Sequence, residues 1–279
     1  MIRVALGLVV GIAGGQLLWR ACRPIFDAPA LARTNWRGRK VPTAAGLLIP
    51  VVVMGAEVGR AVLVALGVGT STPTPARLAV LATVSGFALL GAVDDVVGTA
   101  DQRGFRGHLG ALARGRMTTG SLKLMGGAAL ALAVVGPLVG DAPLRLVSDA
   151  ALVALCANLA NLFDRAPGRV VKVGALAFVI VVAVAGARSR LDTVAVTVGA
   201  SLGLLIDDLR ERLMLGDAGA NALGAALGIG LVLSARPWVR TIALVVVVAL
   251  NIAGEVISFT KVIDAVPPLR ALDRAGRLP

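Results

Sequence analysis

The sequence predicts an all-α, polytopic membrane protein, a single bundle of about nine transmembrane helices that forms one integral membrane domain over residues 1–279. Hydrophobic residues make up 57% of the chain, charged residues only 16%, and the mean hydropathy is +0.86, whereas a soluble domain carries about 25% charged residues. The 34 glycines also fit, because small residues let membrane helices approach closely. This composition excludes a soluble enzyme with a single core.

Nine apolar stretches supply the predicted helices. They lie at about 2–18, 44–69, 77–97, 122–140, 148–163, 171–187, 192–207, 217–235 and 238–260. Trp19 and Arg20 follow the first stretch, where a signal peptide would have small residues at its cleavage site. We therefore expect this stretch to be a retained helix. The chain shows no internal repeat and no long linker, which favours one bundle.

The basic residues predict the orientation of the bundle. The net charge is +12, and the loops on one side hold 20 Lys and Arg against 7 on the other side. Loops rich in Lys and Arg stay in the cytoplasm. We therefore expect the N-terminus outside and the C-terminus in the cytoplasm. This asymmetry accounts for the positive charge without a nucleic-acid partner and leaves binding of anionic phosphates as a second role.

Carboxylates gather at the predicted cytoplasmic ends of the helices. They are Asp94 and Asp95 on the third helix, Asp164 on the fifth, Asp207 and Asp208 on the seventh, and Asp217 on the eighth. Any one of them alone could be a solvated helix end, but together they share one side and one depth. Carboxylates that converge repel each other unless a cation lies between them, and Mg²⁺ is usually held by one or two carboxylates plus substrate phosphates. The pattern predicts a magnesium site.

Amide and basic side chains are expected around the same plane. Asn158 and Asn161 lie one turn apart on the helix that ends at Asp164, so all three can face one cavity. The basic side chains expected on this side include those of His108, Lys123, Arg165 and Arg169. A cation ringed by Arg and Lys is typical of a pyrophosphate site, where positioning and electrostatics provide most of the catalysis. For Lys123, an interfacial anchor is an equal alternative.

At these residues the chain resembles the polyprenyl-phosphate N-acetylhexosamine-1-phosphate transferases. This family makes the lipid-linked precursors of peptidoglycan, O-antigen, teichoic acid and N-glycans. Four landmarks stand in the family's order, namely Pro42-Thr43-Ala-Ala-Gly46, the Asp94-Asp95 pair, Asn158-Leu-Ala-Asn161-Leu-Phe-Asp164 and Gly216-Asp217-Ala-Gly219-Ala-Asn221-Ala-Leu-Gly224. The ordered set is more specific than any one of its members.

The resemblance implies a Mg²⁺-dependent phosphoglycosyltransferase, with Mn²⁺ as a substitute metal. The enzyme would transfer a sugar-1-phosphate from a nucleotide-sugar, such as a UDP-N-acetylhexosamine, to undecaprenyl or another polyprenyl phosphate and release a nucleoside monophosphate. The expected location is the cytoplasmic face of a bacterial plasma membrane, in cell-envelope glycan synthesis. The partners would be these two substrates and membrane lipid, with a homodimer as one option.

The resemblance also implies roles for residues. Asp94, Asp95 and Asp217 would be catalytic and hold the metal, with Asp94 as the suggested base. The side chains expected to bind substrate are those of His108, Lys123, Asn158, Asn161, Asp164, Arg165, Arg169 and Asp207.

The chain departs from the family at several positions. The family's Asp-Gly-x-Asp-Gly is Asp164-Arg165-Ala-Pro167-Gly168 here, so the second Asp, which is associated with uracil recognition, is missing. Asp207 stands where the peptidoglycan enzyme has a base-contacting Asn. Gly98 replaces the Lys after the Asp pair, and His108 is the only histidine. Nine helices are expected in place of ten. These changes affect the nucleotide and sugar more than the phosphate chemistry and indicate a divergent member.

Two other functions stay open at this stage. The first is a catalytically inactive polyprenyl-phosphate-binding protein or lipid transporter of the same fold, which Pro167 and the missing histidines favour. The second is an intramembrane aspartyl protease, whose motifs Phe163-Asp164 and Gly216-Asp217 mimic. An aspartic dyad must share a proton, whereas Arg165 would hold its neighbour ionised. The additional Asp pair would also have no role in a protease.

Overall fold

The computed structural model describes residues 1–69, 74–98, 118–185 and 191–278. Nine long helices lie in these ranges. They are α1 (Ile2–Phe26), α2 (Leu48–Ala65), α3 (Pro75–Val97), α4 (Thr119–Val139), α5 (Pro143–Phe163), α6 (Arg169–Ala185), α7 (Asp192–Leu209), α8 (Gly216–Ser234) and α9 (Pro237–Val256). Each predicted apolar stretch coincides with one of these helices. The prediction of an all-α helical bundle is therefore confirmed.

Smaller elements follow the first and the last long helix. After α1, the strands β1 (Ala32–Thr34) and β2 (Lys40–Pro42) form an antiparallel hairpin in which Ala32 is opposite Pro42. A 3-10 turn at Ala45–Leu47 leads into α2. After α9 come two short helices, α10 (Phe259–Ala265) and α11 (Pro267–Arg274). The pattern of the sequence did not predict the hairpin or the short helices.

In the described part of the chain, seven helices are long and apolar enough to cross a membrane, which supports a multi-pass membrane protein. They are Ile2–Phe26, Ala45–Ala65, Pro75–Val97, Thr119–Val139, Pro143–Phe163, Gly216–Ser234 and Pro237–Val256. The other two long helices, α6 and α7, do not meet this criterion of length and composition. Helix α6 has only 17 residues, and α7 carries Asp192, Asp207 and Asp208.

Helix α8 forms the centre of the bundle. Its most apolar stretch is 83% buried, whereas that of α9 is only 11% buried. Gly and Ala occupy most positions of α8, so α3, α5, α6 and α7 can pack around it at short distance. Helix α9 instead exposes Ile242, Val245 and Val246, the kind of surface that lipid covers.

Helices α1 and α7 make the most extensive contact between two long helices. A Cβ atom built on Gly11 would lie 2.3 Å from the carbonyl oxygen of Val196. Such a distance is far below van der Waals contact, so only glycine fits there. The glycines of the first helix therefore explain how α7, with its three aspartates, is enclosed in the bundle.

The chain after α9 folds back over one end of the bundle. Arg169, at the start of α6, holds Asp273 of α11 through two hydrogen bonds of 2.8 and 3.0 Å. Arg277 donates to the carbonyl of Pro167 at 2.8 Å and pairs with Asp273 at 2.6 Å. Phe259 of α10 stacks on Phe163, with ring centroids 4.7 Å apart. We call residues Phe259–Leu278 the C-terminal segment.

Candidate functional site

Five helix ends meet at the end of the bundle that the C-terminal segment covers. Consecutive long helices alternate in direction, so α3, α5 and α7 end there, whereas α4 and α8 begin there. Polar side chains from four of these ends are in contact: Asp94 and Asp95 of α3, Lys123 of α4, Asn161 of α5, and Asp217 of α8. The structure therefore brings Asp94, Asp95 and Asp217 together at this end of the bundle.

Asp95 caps the start of α8. The backbone N–H groups of Asp217 and Ala218 donate to its two carboxylate oxygens, each at 3.0 Å. Gly216, which precedes Asp217, has a φ of +71°, and a Cβ atom there would lie 2.5 Å from Asp95 Oδ2. A carboxylate at a helix N-terminus satisfies free N–H groups and favours the helix dipole. Asp95 thus joins α3 to α8, and both of its oxygens have backbone partners.

Asp217 is the centre of a polar cluster. Its Oδ2 accepts from Lys123 Nζ at 2.5 Å and from Asn161 Nδ2 at 3.1 Å. Lys123 Nζ also lies 3.9 Å from Asp94 Oδ2. One ammonium therefore lies close to two carboxylates and reduces the repulsion between them. We call Asp94, Lys123, Asn161 and Asp217 the carboxylate cluster.

A polar cavity of about 360 Å³ opens beside the carboxylate cluster. Asp164, Asp208 and Asp217 line it. Asp208 is only 4% exposed and accepts a hydrogen bond from the Gly168 N–H at 2.9 Å. Burial, together with the negative charges of Asp208 and Asp217, raises the pKa of Asp164 well above its ordinary value, against the opposing effect of Arg165. The part of this effect that comes from the neighbouring carboxylates reflects a negative potential in the cavity, and such a potential favours a bound cation.

Sequence reasoning gave no binding role to three side chains of this cavity. Asp208 belongs to the predicted group of carboxylates, but only its neighbour Asp207 was expected to bind substrate, and it is Asp208 that lines the cavity. It follows the buried Ser201 and Leu204 on the same face of α7, and this spacing could have identified it. Glu211 accepts from Asn35 Nδ2 at 2.9 Å, and both residues also line the cavity. No sequence signal linked those two, because 176 positions separate them.

Three other predicted site residues lie outside both the carboxylate cluster and the polar cavity. Asn158 donates to Asn251 at 2.7 Å and so links α5 to α9, instead of joining Asn161 beside Asp217. Asp207 pairs with Arg212 at 3.2 Å on the surface. Arg169 is 3% exposed, and its guanidinium donates hydrogen bonds to Asp273 and Thr260. His108 lies outside the described residues.

The residues present fit a cation that is shared with a substrate. Among the described residues, no group of three His, Cys, Asp or Glu side chains is arranged to hold a metal ion. Asp94 and Asp217, however, flank one ammonium, so the space between them accepts positive charge. Mg²⁺ usually takes one or two carboxylates and completes its shell with phosphates and water. Asp95 fits this role less well, because both of its oxygens cap α8.

An apolar crevice of about 480 Å³ lies between α5, α6, α8 and α9. Its walls include Phe163, Val173, Leu223 and Leu250. Phe163 directly precedes Asp164, so the crevice reaches the helix end that carries the polar cavity. An aliphatic chain in the crevice would therefore have its polar end near the carboxylates.

No protein-family model matches this chain, and no curated protein matches it. The fold and the site define a multi-pass helical membrane protein with a carboxylate cluster at one end of the bundle. Its function has to be argued from this geometry and from the motifs.

Proposed function

We propose that the protein is a phosphoglycosyltransferase that joins a sugar-1-phosphate from a nucleotide-sugar, such as a UDP-N-acetylhexosamine, to a polyprenyl phosphate. The observation that carries this proposal is the position of the carboxylate cluster, with its lysine, next to an apolar crevice. A phosphate on a long aliphatic chain has the two properties that this pair of sites would recognise. The resemblance of the motifs to the transferase family indicates the nucleotide-sugar as the donor of the sugar-1-phosphate.

The reaction needs positioning and charge neutralisation more than a strong base. An oxygen of the lipid phosphate attacks the sugar-bearing phosphorus, the bond from this phosphorus to the bridging oxygen breaks, and the nucleoside monophosphate leaves. The attacking oxygen is already anionic at neutral pH, so alignment accounts for much of the rate. When bound by Asp94 and Asp217, Mg²⁺ would supply charge neutralisation on the diphosphate. Lys123 would hold a phosphate oxygen, and Asn161 orients Asp217.

We also propose that all nine long helices cross the membrane, with the N-terminus outside and the carboxylate cluster on the cytoplasmic face. Alternation of nine spans puts the start of α1 and the end of α9 on opposite sides. The loops on the side of the cluster hold most of the Lys and Arg, which the positive-inside rule places in the cytoplasm. A bacterial plasma membrane is the proposed location.

The test is release of nucleoside monophosphate by the purified protein in detergent. The assay contains Mg²⁺, undecaprenyl phosphate and a panel of UDP-sugars, with Mn²⁺ in parallel. We expect release with one donor, and a loss of at least about 100-fold in Asp217→Asn, since this carboxylate would hold the Mg²⁺, and removing one group that stabilises charge in the transition state costs about this much. Asp141→Asn, an exposed carboxyl at the opposite end, is the matched control. Full activity of Asp217→Asn would contradict the proposal.

A polyprenyl-phosphate-binding protein without turnover is the second candidate. The observation that favours it is Pro167 at the position of the missing Asp, at the edge of the polar cavity. Retention of undecaprenyl phosphate, without release of a nucleoside monophosphate from any donor, would support this candidate.

An intramembrane aspartyl protease is disfavoured, because the ion pair with Lys123 keeps Asp217 charged, whereas the two aspartates of such a protease must share a proton.

A further inference from the structure

A second cavity, of about 620 Å³, lies between the C-terminal segment and the bundle. Five arginines and two aspartates are among its lining residues, so positive charge is in excess. The arginines are Arg37, Arg165, Arg169, Arg274 and Arg277. We call it the arginine cavity. It shares Trp36, Arg165 and Ala166 with the polar cavity, so the two are adjoining spaces.

The partners of these arginines show which of them can bind a ligand. Arg169 and Arg277 both form an ion pair with Asp273 and are largely buried, so they attach the C-terminal segment to the bundle. Among the described residues, Arg274 pairs with the exposed Asp264 alone, at 3.1 Å. Arg165 is exposed; its backbone N–H donates to the carbonyl of Phe163, but its guanidinium forms no hydrogen bond or ion pair with any residue that the structure describes. Arg165 and Arg274 therefore keep donors available to a ligand.

An aromatic ring completes the cavity. Trp36 is 64% exposed, in the turn of the β1–β2 hairpin, and the guanidinium of Arg37 lies over it at 4.7 Å from the ring centroid. An indole held in place by an arginine offers its other face to a flat or apolar part of a ligand. Exposure of a large aromatic ring beside several arginines is unusual for a simple protein surface.

We propose that the arginine cavity binds a phosphate group of a water-soluble ligand, at a subsite separate from the carboxylate cluster. Guanidinium groups match phosphate oxygens with paired hydrogen bonds. The cavity is lined by a hairpin turn, the loop after α5, the first residue of α6 and the C-terminal segment, and by no apolar part of a membrane helix. A soluble ligand fits this position better than a lipid headgroup. That the ligand is the nucleotide-sugar rests on the proposed function, but phosphate binding does not.

The experiment measures binding of pyrophosphate and of UDP to the full chain in neutral-lipid nanodiscs with EDTA. Without a divalent cation, the carboxylate cluster repels these anions, so the signal reports the arginine cavity. We expect Arg165→Gln and Arg274→Gln each to weaken binding about tenfold, the effect of one hydrogen bond to a charged group. Arg270→Gln is the matched control, because Arg270 lies on α11 one turn from Arg274, is exposed and does not line the cavity.

Two readouts separate a binding defect from a folding defect. Trp36→Phe should remove the fluorescence change on binding, since Trp19 is buried and Trp238 lies at the start of α9, at the opposite end of the bundle. The unfolding temperature should be unchanged in Arg165→Gln, which loses no described ion pair. Equal affinity of all three glutamine variants, or no binding of either probe, would overturn the proposal. So would displacement of pyrophosphate by phosphatidylglycerol in the disc, because the phosphate would then belong to a lipid.

The two proposals can fail separately. Asp217→Asn should stop nucleotide release and leave binding in EDTA intact. If no donor ever releases its nucleotide, while Arg165→Gln still weakens pyrophosphate binding, the proposed transferase is wrong and the phosphate subsite stands.

Discussion

Two aspartates of the site carry the same chemical group but have different neighbours. Asp217 accepts from a lysine and an amide, whereas Asp95 accepts from two backbone N–H groups. The side-chain partners of Asp217 leave its negative charge available to a ligand, whereas the backbone partners of Asp95 make it stabilise the start of α8. The sequence motif Asp94-Asp95 cannot separate these roles, because adjacent residues of a helix point about 100° apart.

Asp95→Ala should destabilise the protein by about 1–2 kcal/mol, the cost of losing a helix N-cap. The reason is that the N–H groups of Asp217 and Ala218 lose their acceptor at the buried start of α8. Thermal unfolding in detergent, followed by circular dichroism, measures the change. Asp141→Ala serves as the control. A variant as stable as the wild type would show that water replaces the cap at no cost.

At the scale of elements, hydropathy predicted where the long helices lie but not which way their polar residues face. Asn161 meets Asp217, whereas Asn158, one turn earlier, pairs with Asn251 of α9. Asp208 enters the polar cavity, and its neighbour Asp207 pairs with Arg212. The rotation of a helix depends on its packing partners. A sequence therefore indicates a carboxylate-bearing helix end before it indicates which carboxylate is used.

The C-terminal segment was beyond sequence prediction for a related reason. The sequence predicted Arg169 as a ligand for phosphate, because it follows Asp164 in a basic loop. In the structure its guanidinium donates two hydrogen bonds to Asp273. The two residues are 104 positions apart, and no periodicity connects them. The pairing depends on how the tail folds back.

Docking of the C-terminal segment should weaken in acid. Burial alone would raise the pKa of Asp273, but Arg169 and Arg277 outweigh burial and lower it below its ordinary value. A carboxyl whose pKa is lower in the folded state stabilises that state above its unfolded pKa of about 4 and loses this effect as the pH falls further. Hydrogen exchange of residues 259–278, corrected for the intrinsic rate, should therefore rise below about pH 4.

Asp273→Asn should show the same loosened segment already at neutral pH, and little further change in acid. The matched control is Asp264→Asn, whose exposed pair with Arg274 contributes little. A pH response that persists in Asp273→Asn would assign the effect to other carboxyls.

At the scale of the whole molecule, the bundle depends on close approach of α1 and α7. Gly11→Leu should lower the unfolding temperature and cost about 1–3 kcal/mol or more, because the new side chain would collide with the backbone of α7. Gly59→Leu is the control, since a Cβ atom there meets nothing within 4 Å. Equal stability of the two variants, measured by thermal unfolding in the same detergent, would show that α1 can move aside.

The stacked rings of Phe163 and Phe259 connect two compartments of different chemistry. Phe163 lines the apolar crevice, and Phe259 begins the segment that walls the arginine cavity. A hydrocarbon chain that enters the crevice at this point touches the ring on which the segment rests. If such a chain shifts the Phe163 ring, occupancy of the apolar crevice and the shape of the arginine cavity are thermodynamically linked. Linkage of this kind is reciprocal, so a solute in the charged compartment changes the affinity for the chain by the same factor.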